Sequence, residues 1–175
     1  MADCPLGRAW TRGGLLEKMM AILRWSLALV LVTTCVSVEA VAGDEQAVEQ
    51  TLRDYEQAWS HHDAHAVAGF YYEPAMRVGK AGPVVRPTRA DQEAFFDGFL
   101  RGLVARGYER SAWESIEVRQ LDAQSAIASG ITVRYKADGT IFERLAVTYG
   151  LWRTSEGWKI FLSTTHTPET VLRFR

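Results

Sequence analysis

The side chains with the most chemical potential stand close together in the stretch Asp54 to Tyr72, DYEQAWSHHDAHAVAGFYY. Tyr55 and Trp59 are four residues apart and share one helical face. On that face a phenol can donate a hydrogen bond to a ligand carbonyl and an indole can wall a pocket, and both can equally fill a core. His61, His62 and His65 beside Asp63 offer the imidazole and carboxylate groups that suit zinc. His61 and His65 straddle the helix break that Asp63 introduces, however, so their face is not continuous, and neither a metal nor a cofactor is expected.

Two further groups lie far along the chain. His166, in Ser163-Thr164-Thr165-His166-Thr167-Pro168, sits where a last strand leaves its sheet. A histidine with an ordinary pKa near ~6.5 can act as acid or base at neutral pH, or can simply bond to backbone at a strand end. Arg134 and Glu143 flank the turn at Asp138-Gly139 at a spacing that makes them cross-strand partners. On a surface such a pair contributes about 0.2–1 kcal/mol; facing inward, Arg134 is a polar group that could fix a ligand.

These residues need elements to position them. Val48, Leu52, Tyr55 and Trp59 have the three-to-four spacing of an amphipathic helix starting near Asp44, which is placed to cap it. Asp63 can cap a short second helix through Phe70, and Pro74 prevents any continuation past Glu73. Met76 to Val78 reads as a short strand, with Gly79, Gly82 and Pro83 turning it into Val84 and Val85. Pro87 to Asp91 opens a third helix whose face carries Phe95, Phe96, Phe99, Leu100, Leu103 and Val104, with Gly107 as its stop.

After Tyr108 the period becomes alternating. Ile116 and Val118, then Ile127, Ile131, Val133 and Tyr135, then Leu145, Val147, Tyr149 and Leu151 mark three strands, and Trp158 to Thr165 a fourth. Turns fall at Ala137 to Thr140 and Thr154 to Gly157. Helices first and antiparallel strands afterwards make an α+β pattern, with helices covering one face of a sheet.

The chain has 175 residues and a formal charge of -1, the scale of one domain without the cationic excess that nucleic acid requires. Trp25 to Val38 is an uncharged apolar run after Arg24 and before Ala40-Val41-Ala42, the pattern of an export signal cleaved near Gly43. Residues 1–42 therefore read as a signal, with Met19 or Met20 as a start of more ordinary length, and 43–175 as a single domain. Such a product is periplasmic or secreted and keeps no membrane anchor, since about 20 apolar residues are needed to span a bilayer. Cys35 lacks the small residue expected just before a lipidated cysteine. With Cys4 it lies in the segment to be removed, leaving no thiol chemistry in the domain.

The order of elements, together with AWSHHDAHAVAGFYYEPAMRV, resembles the NTF2-like superfamily, which includes SnoaL-like cyclases and ketosteroid isomerases. RPTRADQEAFFDGFLRGLVARGYERS and DGTIFERLAVTYGLWRTSEGWKIFLSTTHTPE look like an uncharacterised subgroup of NTF2-like domain proteins. The resemblance implies a cystatin-like cone: three helices from the N-terminal half packed on a curved, mainly antiparallel sheet, an internal pocket, and a homodimer through the sheet. Trp152, on a second sheet face with Thr148 and Gly150, suits such a partner surface.

Ketosteroid isomerases use an Asp base with an oxyanion hole of Tyr and protonated Asp. Tyr55, eight residues before Asp63, matches the tyrosine, but the base falls near Gly79 and the second acid near Tyr149 or Gly150, where no carboxylate stands. That mechanism is therefore disfavoured. The residues expected to line a pocket are Tyr55, Trp59, Tyr72, Phe96, Trp113, Arg134 and His166. The function expected is non-catalytic binding of a small apolar ligand by an exported domain. The alternative is a SnoaL-like isomerase, cyclase or hydrolase acting on a carbonyl compound, with Tyr55 and His166 as its groups.

Overall fold

The computed structural model describes residues 36–174, with side chains from residue 44 onward. The run read as an export signal lies outside the described residues apart from the backbone of 36–42, as do Cys4 and Cys35. The chain divides into Met1–Ala40 and Val41–Arg175, and the side chains described all belong to the second unit.

Three helices form where the apolar spacing places them. Helix α1 (Val36–Ser60) buries Val48, Leu52, Tyr55 and Trp59. It begins before Asp44, so Asp44 does not cap it. The Asp44 carboxylate instead pairs with Arg153 at 2.8 Å and accepts from Gln120 Nε2 at 3.1 Å, tying the helix to the sheet. Helix α2 (Ala64–Gly69) is capped as expected, with Asp63 Oδ1 accepting from the Ala66 amide at 2.9 Å. Helix α3 (Arg89–Val104) starts with a reciprocal capping box between Thr88 and Asp91 and buries Phe96, Leu100 and Leu103.

The strands are β1 (Tyr71–Gly79), β2 (Gly82–Arg86), β3 (Arg110–Gln120), β4 (Ser125–Tyr135), β5 (Ile141–Thr154) and β6 (Gly157–His166). They form one six-stranded sheet in the order β2-β1-β6-β5-β4-β3. Every pairing is antiparallel except β1 with β6, which brings the two ends of the domain together. β1 starts five residues before the expected Met76, because Tyr71 already pairs with Ile160 before the register shifts.

Register decides which side chains share the face beneath the helices. Trp113, Thr132 and Leu145 form one row across three strands, and Ser111, Arg134 and Glu143 the next. Tyr149, Ser163 and Arg77 form another row through β5, β6 and β1. The opposite face carries Ser129, Thr148 and Thr164 in register, with His166 opposite Ala146. A short 3-10 helix, Pro168–Thr170, and the segment after it fold back over that face, where the Leu172 amide donates to Ser129 Oγ at 3.2 Å. Trp152 is 37% exposed there, and the Phe161 ring lies over neighbouring Gly150.

Candidate functional site

Between α1 and the sheet lies a cavity of about 40 Å³, with Tyr55, Glu56 and Trp59 on its helix wall. That volume holds about three waters. Sheet residues close it: Trp113 and Ser111 from β3, Thr132 and Arg134 from β4, Tyr149 from β5, Ser163 from β6, and Tyr71 and Arg77 from β1. The lining mixes charged, hydroxyl and aromatic groups, where the sequence led to the expectation of a small apolar ligand.

Glu56 is the acid that pattern reading passed over. It follows Leu52 by four residues and Val48 by eight, so it falls on the buried stripe of α1 rather than its solvated side. The residue is 9% exposed, Thr132 Oγ1 donates to its Oε1 at 2.6 Å, and the Trp113 backbone amide also bonds it. Burial raises its pKa from 4.5 to about 7, against the opposing pull of those bonds and of Arg53 and Arg134. A carboxyl group near neutrality can both take and give a proton at physiological pH.

Three phenols stand beside it. The Tyr55 and Tyr71 hydroxyls are 3.0 Å apart, and the Tyr55 ring meets Tyr71 and Tyr149 edge-on at 5.9 Å each. Burial pushes the pKa values of Tyr55 and Tyr149 well above the usual phenol value, so both stay neutral hydrogen-bond donors. In a hydroxyl pair one oxygen accepts and keeps its own proton free, so the pair retains a donor for a third group.

Arg134 is 8% exposed and ion-paired with Glu143, its expected cross-strand partner. Its guanidinium carbon lies 5.4 Å from the Trp59 ring centroid and 5.8 Å from those of Phe99 and Tyr108. Carboxylate and aromatic faces together fix the side chain in the wall.

Of the residues expected to line a pocket, Tyr55, Trp59, Trp113 and Arg134 do so. Phe96 packs one layer deeper, 5.4 Å from Trp59 and 5.1 Å from Tyr71 between ring centroids, as plain core. Tyr72 points away on the other face of β1, 37% exposed, because strand neighbours alternate in direction. His166 is also on the far face: one ring nitrogen lies 2.9 Å from Thr148 Oγ1 and the other 2.8 Å from Thr170 Oγ1. Its register opposite Ala146 turns it from the cavity, which removes it as partner to Tyr55. The clustered histidines separate too: His62 Nε2 bonds the Glu109 carbonyl and His65 Nδ1 bonds Glu93.

The fold has relatives. A family model described as NTF2-like protein (DUF6841) matches residues 44–168. No curated protein matches the sequence. Among solved structures, an NTF2-like protein with a cystatin-like fold from Novosphingobium aromaticivorans superposes with a TM-score of 0.65 at 19% identity, over 79% of this chain and 90% of that one. An NTF-2 like protein of unknown function from Shewanella oneidensis gives 0.57 at 18% identity, covering 69% and 97%. A ketosteroid isomerase-like protein from Erwinia carotovora atroseptica gives 0.53 at 18%, covering 71% and 96%. Identities this low establish shared architecture alone. The match over residues 44–168, carried by three helices on a curved six-stranded sheet, makes this chain a member of the NTF2-like family.

Proposed function

We propose that the domain binds a small carbonyl compound in the cavity and exchanges a proton with it through Glu56. One observation carries this reading: a buried carboxyl group, held by Thr132 and the Trp113 amide on the cavity wall, with its pKa near 7. Such a group costs stability where a leucine would not, and perturbed acids in clefts are functional-site candidates.

In the proposed step, ionised Glu56 takes a proton from the carbon next to the carbonyl. The C–H bond breaks, an O–H bond forms on the carboxylate, and the electron pair moves onto the carbonyl oxygen. A neutral phenol of the Tyr55, Tyr71 and Tyr149 group donates a hydrogen bond to that oxygen. Return of the proton to the same carbon gives exchange; return elsewhere gives an isomer. The small cavity volume favours compounds of a few non-hydrogen atoms.

The test is deuterium uptake from heavy water next to the carbonyl, followed by NMR for a panel of small ketones and oxo acids. Uptake catalysed by the wild-type chain and lost in Glu56→Gln, by about a hundredfold or more, is the expected result. Equal uptake in both proteins refutes the role of Glu56. A panel that binds in the cavity without exchange supports the non-catalytic binding reading.

A further inference from the structure

The hairpin of β1 and β2 carries two cations on the cavity side of the sheet that the proton-exchange step does not use. Arg77 lines the cavity, in register with Ser163 of β6. Arg86 pairs in register with Ala75, two residues from Arg77, so the two arginines are diagonal neighbours on one face of the hairpin. Both gather around one aromatic ring. The Arg86 guanidinium carbon is 3.6 Å from the Phe95 centroid, and that of Arg77 is 5.3 Å from Phe95 and 5.0 Å from Phe99.

Neither arginine makes an ion pair with a carboxylate among the described residues, whereas Arg53, Arg101, Arg134, Arg144, Arg153 and Arg173 all do. Asp91 acts on Arg86 through its charge without pairing with it, and the Thr88 amide and hydroxyl donate to its Oδ2. Arg86 Nη1 is fully buried with no hydrogen-bond partner. A buried charged donor left unpaired destabilises the fold, and two like charges side by side add repulsion. Burial and the nearby Arg77 charge lower the Arg86 pKa, against the smaller opposing influence of Tyr71 and Asp91. Stacking on Phe95 holds the forks in place without occupying their N–H donors.

We infer that Arg77, on the cavity wall, with Arg86 beside it outside the lining, forms the anion-binding end of the cavity and that its ligand is a small carboxylate. The inference rests on the proposed function for the carbonyl, and it fixes the class of substrate: an oxo acid whose carboxylate lies on the arginines while its carbonyl points toward Glu56 and the phenols. A guanidinium fork matches a carboxylate through two parallel N–H donors, which an ester cannot receive as well. A bound carboxylate offsets one of the two hairpin charges and leaves Glu56 free to alternate between its neutral and ionised forms.

The test compares pyruvate with methyl pyruvate, which keeps the carbonyl and loses the charge. Binding to the full chain is followed by calorimetry and by the fluorescence of Trp59 and Trp113 on the cavity wall. Pyruvate is expected to bind at least about tenfold more tightly than the ester, with the preference lost in Arg77→Gln and Arg86→Gln. In Arg77→Lys and Arg86→Lys, which keep the charge but not the fork, only part of it should remain. Equal binding of acid and ester, or no binding of either, overturns the inference, and this wild-type comparison needs no variant to fold. Glu56→Gln separates the two readings: pyruvate binding that survives there while deuterium uptake is absent even in wild type leaves the anion site standing and sinks the proton-exchange role.

Discussion

Glu56 makes the stability of this domain depend on pH with a sign opposite to that of most carboxylates. Its folded pKa, about 7, lies above the ordinary 4.5, so between those values the folded chain holds a proton that the unfolded chain releases. The resulting stabilisation is fully present below about pH 4.5 and is lost as pH rises to about 7. Its size is on the order of 3 kcal/mol. Chemical denaturation of wild type and Glu56→Gln at several pH values isolates it, because other groups cancel in the difference. The variant should gain about 2–3 kcal/mol on wild type between about pH 5 and about pH 8. A difference independent of pH would show that the carboxyl titrates normally. Glu56 was legible in principle as an acid in line with Val48 and Leu52; a stripe defined by its apolar and aromatic residues leaves it out.

At the scale of elements, the cavity depends on how closely β3 lies against β4. Gly130 is buried in β4, and a Cβ there would fall 2.2 Å from the Ser115 carbonyl oxygen and 2.9 Å from the Trp113 ring. The β3 ladder shifts register between Trp113 and Ser115, and Trp113 lines the cavity with its Nε1 donating to the Leu52 carbonyl at 3.3 Å. Backbone cannot yield as a flexible side chain does, so Gly130→Ala should cost about 1–3 kcal/mol in denaturant unfolding. It should also shift the fluorescence of Trp113. An unchanged midpoint and spectrum would mean that the two strands have slack. Periodicity placed α2 and α3, with Asp63 capping the first and the stretch Pro87 to Asp91 opening the second, because caps and apolar stripes are local. It missed the early start of β1, where Glu73 and Pro74 break the alternation and pairing comes from β6, almost ninety residues later.

Across the whole molecule, the parallel pairing of β1 with β6 joins the hairpin arginines to the tyrosine row. That long-range contact explains which site residues were readable in advance. Tyr55 and Trp59 lie on one helix and announce themselves by spacing, and Arg134 and Glu143 by one turn. Arg77, Tyr71 and Tyr149 meet only when the sheet closes, so no local pattern could gather them. His166 shows the converse: the end of β6 was foreseen, but which face its side chain takes depends on register with Ala146.

The central claim is that this cavity holds a proton-exchanging acid on the α1 wall. The most direct measurement is an NMR titration of isotope-labelled glutamate side-chain carboxyls in the full chain, with the Glu56 signal assigned by its absence in Glu56→Gln. A midpoint near 7 is expected for that signal. A midpoint at the ordinary 4.5 would contradict it.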